Sequence, residues 1–486
     1  MSAADTSKPV AQLREILSLL STAVEKIASE WELHSSHDSH HGSREATDSS
    51  VSHTEYDAVN TVLAAVGSLE SLVLEPHVHL ISMSMSYTIA RALHIAAEHN
   101  VADLLARAGE EGLHAADLAR STGIEEKKLC RIMRSLTSHH VFQEVEEDCF
   151  ANNHVSGVLV GDAPFRAHVL TKGQIHYTAS DFLPGVLSNL ALGQSYDPTK
   201  TAFQQAVGTK LSLFDWMHQQ VPASDPGWRP LPARNHPVDA GAPEPSGVPS
   251  RTSALSEEMV PRPETALFNL SMAGIGRGTE QYYMHDFPWK TVGSGTVVDV
   301  GGGIGKSLIS NFLLHSVYPE LSLVIQDRKF MIQQARSVWG MKYPSAILEG
   351  KVSLVTHDFF ETNPVRGAEV YWLRYIMHDW SDNEAIAILS RIAESMSPQS
   401  RVLIADIVAN TTLGCDEIRS APKPLLANYG RAMGFAHMMD LSMMMMVNGR
   451  ERTPAEFRRI IGAAGLAIVK IWGCRGPLSI IECRLV

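Results

Sequence analysis

The run Thr296-Val-Val-Asp-Val-Gly-Gly-Gly-Ile-Gly-Lys306 constrains the fold more than any other stretch of the chain. Val297, Val298 and Val300 are β-branched and apolar, which suits a buried parallel strand. Gly301, Gly302, Gly303 and Gly305 follow at once, and glycine lets a backbone turn tightly and come close to a ligand with no Cβ in the way. Lys306 to Leu314 then reads as a helix whose N-terminus faces that ligand. A strand, a glycine turn and a helix in this order predict a nucleotide-type cofactor site.

Three glycine signatures compete for it. A dinucleotide fingerprint, G-x-G-x-x-G, needs its third glycine at Lys306 or Leu308, and a P-loop needs its first glycine at Val300. Both fail. What remains is D-x-G-x-G-x-G on Asp299, Gly301, Gly303 and Gly305, which resembles the first motif of S-adenosylmethionine (SAM) dependent methyltransferases. Leu321 to Asp327 reads as a second strand ending in an acid, placed to accept hydrogen bonds from ribose hydroxyls. On these residues alone, an NAD site with a degraded motif and a glycine turn without ligand stay open.

The 486 residues predict two or more domains. Forty-one basic against 53 acidic residues leave a net charge of −12, which disfavours general nucleic-acid binding. Five scattered cysteines (Cys130, Cys149, Cys415, Cys474, Cys483) form no CxxC pair, so neither a disulfide framework nor a cysteine zinc site is expected. No apolar leader core and no run of about 18 apolar residues is present, so the expectation is a soluble, cytoplasmic protein.

Along the chain, Leu13, Ile16, Leu17, Leu20, Val24 and Ile27 recur at helical spacing, predicting an amphipathic helix over 8–31. Residues 34–54, with His34, His37, His40 and His41, read as a disordered linker rather than a metal cluster. A second helix is expected over 55–75. Residues 86–160 read as helix, turn, helix and wing: Ala90 to Ala108, Ala115 to a closing Gly123, Glu125 to His139, then a strand from Val141. The wing carries Glu144, Glu146, Glu147 and Asp148, and a wing that meets phosphate should not be acidic. Residues 165–220 are helical, and 222–257, rich in Pro, Gly and Ser, read as a flexible insertion. From Gly295 strands and helices alternate, which predicts a doubly wound α/β fold with a mostly parallel sheet. Ligands then bind at the carboxyl ends of the strands, at Gly301–Gly305, Asp327, Asp358-Phe359, Arg374 to Trp380 and Asp406.

Methyl transfer to a phenol, of pKa about 10, needs an acceptor held in line and a base working near neutral pH. Histidine suits this. His378 follows the fourth strand on the ligand side. Asp406 and Glu451 are the carboxylates that would orient it.

Several segments in the right order resemble a family, the metal-independent class I small-molecule O-methyltransferases of the plant caffeic acid and flavonoid type and their fungal relatives in secondary metabolism. They are Val298–Gly305, Gln326-Asp327, His357-Asp-Phe-Phe360, Arg374–Asp382, Leu403–Asp406 and Gly449-Arg-Glu-Arg-Thr453. The resemblance implies a Rossmann-like SAM domain over 286–486 and a winged-helix dimerisation domain over 81–165. A helical connecting and lid region over 166–285 and N-terminal helices over 1–80 complete the expected division. It implies His378 as base, flanked by Asp406 and Glu451. It implies SAM contacts at Asp299, Gly301, Gly303, Gly305, Asp327, Asp358, Phe359 and Arg374, the last replacing a lysine common in plant members. Acceptor contacts are expected from Phe268, Asn269, Met272, Met377, Asp379 and Met443. No metal, no nucleic acid and no membrane are expected; a homodimer and a small hydroxylated aromatic acceptor are. An N- or C-methyltransferase of the same fold, or a non-catalytic SAM-binding winged-helix protein, are the alternatives.

Overall fold

The computed structural model describes residues 3–38, 51–225, 227, 258–275, 282–303 and 306–486. They form two compact units, one of residues 1–89, 275–444 and 449–486, the other of 90–274 and 445–448.

The chain begins with two helices, α1 (Ala3–Asp38) and α2 (His53–Val73). Ile16 of α1 and Ala64 and Ala65 of α2 share a buried cluster with Ala421 and Leu425, which seats the hairpin on the sheet-bearing unit. The Tyr56 hydroxyl donates to the Gly476 carbonyl at 2.8 Å. Both ends of the linker expected over 34–54 are helical instead, 34–38 in α1 and 53–54 in α2. After Pro9, in its first turns, α1 contains no glycine or proline, and the helix runs through His34 to Asp38. Ser52 caps α2, its hydroxyl accepting from the Glu55 N–H at 3.0 Å. Residues 39–50 lie outside the described residues.

In the helical unit, strands β1 (Leu113–His114), β2 (Gln143–Glu146) and β3 (Cys149–Ala151) form an antiparallel sheet in the order β1-β3-β2. Helices Ala115–Thr122 and Glu126–Thr137 pack their apolar faces into one core with Phe142 and Phe150. Gly123 ends the first of them at φ +75°, the left-handed cap that glycine takes without strain. The single helix expected over Ala90–Ala108 is two, broken where Asn100 adopts φ +54°. The strand expected from Val141 starts at Gln143, because Phe142 turns through φ +72° to bury its ring. Arg134 of the second helix pairs with Glu144 at 3.1 Å and Asp148 at 2.8 Å, so the acidic wing neutralises a basic group that phosphate would need. Strands β4 (Gln220–Pro222) and β5 (Met259–Pro261) pair antiparallel and draw together the two ends of the insertion expected over 222–257. Apart from 222–225 and 227, that insertion lies outside the described residues.

The other unit carries a seven-stranded sheet in the order β11-β12-β10-β9-β6-β7-β8. Its strands are β6 (Thr296–Val300), β7 (Ser322–Asp327), β8 (Val352–Thr356), β9 (Val370–Arg374), β10 (Arg401–Asp406), β11 (Leu466–Gly473) and β12 (Ser479–Leu485). β6 to β10 run parallel, and β12 lies antiparallel between β10 and β11. This is the expected doubly wound sheet. Valine, isoleucine and leucine fill its strands, since both faces are covered. From β6 the order runs outward to β7 and β8 on one side and to β9 and β10 on the other. Ligand crevices open at such a reversal. The register sets Val300 beside Gln326, Asp327 beside Thr356 and Arg374 beside Ala405, so the carboxyl ends form one edge.

Candidate active site

The glycine turn leaves β6 at that edge. The N–H groups of Gly301 and Gly302 both donate to the Gln326 carbonyl at 2.9 Å. Gly301 holds φ +76°, and a Cβ there would lie 2.6 Å from Ile376 Cδ1. At Gly302 a Cβ would lie 2.5 Å from Asp299 Oδ2. Only glycine fits either position. Asn311 donates to Asp299 Oδ2 at 2.6 Å, while Asp299 Oδ1 is buried with no hydrogen-bond partner. Burial pushes the Asp299 carboxyl up to about 7, against the pull of Asn311 and Arg374.

The Gly303 N–H donates to Asp327 Oδ2 at 2.7 Å, tying the glycine turn to the acid at the tip of β7. Asp358 Oδ1 accepts from the Phe360 N–H at 3.0 Å, which leaves the Phe359 ring 3.6 Å from a Cβ placed on Gly301. Arg374 is buried, its guanidinium 5.3 Å from the Tyr283 ring centre and 5.1 Å from that of Tyr375. Asp299, Gly301, Gly303, Asp327, Phe359 and Arg374 therefore gather along the edge that the sheet rule selects. Gly305 lies outside the described residues.

His378 sits in a 3-10 turn, Met377–Asp379, just past β9. Tyr375 enters that turn at φ +53°, an unfavourable region for a bulky side chain, and sets its ring 5.2 Å from the imidazole. His378 is 5% exposed. Its Nδ1 lies 2.8 Å from Glu451 Oε1. A carboxylate only accepts, so this contact assigns the hydrogen to Nδ1 and leaves Nε2 as the basic atom of the neutral ring. Nε2 is 3.6 Å from Asp379 Oδ1, beyond hydrogen-bond reach. Burial disfavours a charged His378, but Glu451, Asp379 and Asp406 outweigh it and raise the imidazole to about 9.

The two expected flanking carboxylates divide. Glu451 makes the hydrogen bond. Asp406 ends β10 fully buried, with no hydrogen-bond partner on either oxygen; one methylene shorter than glutamate, it acts on His378 through charge alone. Burial raises Asp406 to about 7, with His378 pulling it down and Glu451 pushing it up. Met377, an expected acceptor contact, instead joins the hydrophobic core under the sheet, fully buried. Met443 is buried on helix Gly434–Val447. Phe268, Asn269 and Met272 lie half-buried within about one turn of helix Pro263–Ile275, in the helical unit.

Sequence reasoning missed Arg452. Its side chain is fully buried and spans the histidine turn. Nη1 donates to the Met377 carbonyl at 2.6 Å, Nη2 to the Trp380 carbonyl at 2.7 Å, and Nε to Asp382 Oδ1 at 3.0 Å. The Arg450 N–H donates to the His378 carbonyl at 2.8 Å, and the Glu451 N–H to Asp440 Oδ1 at 2.8 Å. A Cβ on Gly449 would clash with the His378 carbonyl. The signal was present as the run Gly449–Thr453, but only the buried geometry gives Arg452 its part.

Two family models match the chain, an O-methyltransferase domain over residues 261–467 and an O-methyltransferase dimerisation domain over 81–162. The chain is 40% identical to O-methyltransferase tpcA of Aspergillus fumigatus, across 98% of this chain and 96% of that one. It is 43% identical to O-methyltransferase gedA of Aspergillus terreus, across 89% and 87%. Among solved structures it resembles CalO1, a methyltransferase in calicheamicin biosynthesis in its S-adenosylhomocysteine-bound form, with a TM-score of 0.58, 25% identity and coverage of 85% of this chain and 98% of the other.

Proposed function

The chain belongs to the O-methyltransferase family, and from that premise we propose that it methylates a hydroxyl of a small aromatic acceptor, with His378 as general base and no metal in the chemical step. The observation that carries this reading is the buried 2.8 Å contact between His378 Nδ1 and Glu451 Oε1 at the carboxyl edge of the sheet, one strand from the glycine turn. A SAM-binding protein that only senses its ligand has no use for an oriented imidazole.

The residues fit SAM. The cradle at Gly301 and Gly302 admits only backbone, and the orphaned Asp299 Oδ1 is a buried acceptor that awaits a donor. In this reading Asp327 holds the ribose hydroxyls, Phe359 and Asp358 border the adenine, and Arg374 orders Asp299 and Tyr375. SAM, when bound, supplies a methyl group on an electrophilic sulfonium. Glu451 fixes the imidazole and stabilises the charge it gains. His378 Nε2 takes the hydroxyl proton as the acceptor oxygen becomes nucleophilic. Asp379, beside Nε2, is placed to orient the acceptor. Met443, in the same unit as His378, is the contact proposed for the aromatic ring, methionine being suited to flat ligands, and for Phe268, Asn269 and Met272 the acceptor role rests on the family resemblance alone.

The test is methyl transfer from labelled SAM to a panel of phenols in EDTA, comparing wild type with His378→Ala. Labelled ethers are expected from wild type, with a loss of about 10²-fold or more in kcat for the variant. Loss of wild-type turnover in EDTA would refute the metal-free mechanism. Undiminished turnover by the variant would refute the base.

A further inference from the structure

Three side chains meet where α1 ends and α2 begins. Glu30 and His34 are four residues apart on α1, so they project from one face a turn apart. Glu55 belongs to the first turn of α2. One ligand atom from each lies within 4.8 Å of the other two. Glu55 is 6% exposed. Its Oε1 accepts from Trp31 Nε1 at 2.7 Å, while its Oε2 is buried with no hydrogen-bond partner. A carboxylate removed from water and half satisfied is costly, and a second carboxylate beside it adds repulsion. A cation offsets both.

We propose that Glu30, His34 and Glu55 form a divalent-metal site of zinc type that staples α1 to α2. One imidazole nitrogen and two carboxylate oxygens suit Zn²⁺, whereas Ca²⁺ and Mg²⁺ favour all-oxygen sets. A tetrahedral ion with bonds of about 2 Å holds its ligand atoms about 3.3 Å apart, so from separations within 4.8 Å the group closes by at most roughly 1.5 Å on binding. Exposed His34 and half-buried Glu30 supply that movement. Glu55 stays fixed by Trp31, the outer partner that ligating carboxylates commonly keep. Water fills the fourth position. The ion takes no part in methyl transfer, since none of these residues touches His378; it fixes the hairpin that rests on the sheet unit.

The test uses the full chain stripped with EDTA, with Zn²⁺ titrated by calorimetry and followed by thermal unfolding. One Zn²⁺ per chain and a Tm higher by a few degrees are expected. His34→Ala and Glu55→Gln each weaken binding by about tenfold or more and abolish the Tm rise. Turnover in EDTA is unchanged in both, and the His37→Ala, His40→Ala, His41→Ala triple variant binds as wild type. Absence of saturable binding by wild type overturns the site. So does binding by His34→Ala equal to wild type, or binding lost only in the triple variant. Should Glu55→Gln fail to fold, His34→Ala decides, because its side chain is exposed.

Discussion

At the scale of single residues, His378 is tuned by opposing forces. Burial pushes its imidazole down, and three carboxylates pull it up to about 9, Glu451 foremost among them. As the proposed base, His378 must be unprotonated to act, so kcat/KM, which reports the free enzyme, is expected to rise with pH and level off above about 9. Glu451→Gln keeps a hydrogen-bond acceptor but removes the charge. Burial then dominates, and the acid limb moves down by roughly 1–3 pH units. The plateau falls as well, because the imidazolium formed in the transition state loses its counter-charge. A pH–rate profile of the two proteins checks both signs. A limb that stays in place would mean that Glu451 only holds the loop. Asp406→Asn should move the same limb down by less, since Asp406 makes no hydrogen bond to His378 and acts only through charge.

At the scale of elements, the histidine turn between β9 and helix Asp382–Ala393 is held from below by one side chain. Arg452 reaches the Met377 and Trp380 carbonyls and Asp382 from three separate guanidinium nitrogens, a spread that an ammonium, with its three donors on one nitrogen, does not match. Arg452→Lys keeps the charge and loses at least one bond, worth on the order of 1 kcal/mol or more. Measured kcat should fall by about tenfold with KM for SAM nearly unchanged, because the lysine loosens His378 rather than the glycine turn. A rise in KM at constant kcat would place Arg452 in SAM binding instead. The same elements show what a sequence discloses. β6 to β10 were legible because strands of a parallel sheet read as short, mainly apolar runs between helical stretches, and the glycine turn because its spacing excludes other motifs. His378 and Glu451 were legible from strand position and motif. Arg452 was not, since a charge in the run Arg450-Glu451-Arg452 reads as solvated surface until two carbonyls and a carboxylate bury it. The break at Asn100 and the onset of β2 were hidden too, because left-handed turns at Asn and Phe leave no periodic trace.

At the scale of the whole molecule, the composition of helix Pro76–Met85 is unlike that of a finished surface. Val78, Leu80, Ile81, Met83 and Met85 are exposed by 47%, 64%, 59%, 61% and 54% of their areas. Single exposed apolar residues are ordinary, but five within ten positions mark a surface that is covered in the working protein. Among the described residues no helix is long and apolar enough to cross a membrane. The matched dimerisation domain begins at residue 81, within this helix. A second copy of the chain meets the requirement, because a two-fold interface presents the same apolar strip from both sides. Sedimentation at micromolar concentration should give a particle of twice the 53.2 kDa chain mass. Leu80→Asp with Ile81→Asp would bury charges with no partner and drive the equilibrium to monomer. A monomer in the wild type, or an undisturbed dimer in the double variant, would place the contact elsewhere. Both substitutions lie on an exposed helix away from the proposed catalytic residues, so the His378–Glu451 pair stays intact, and residual turnover of the monomer would measure how much of the activity depends on assembly.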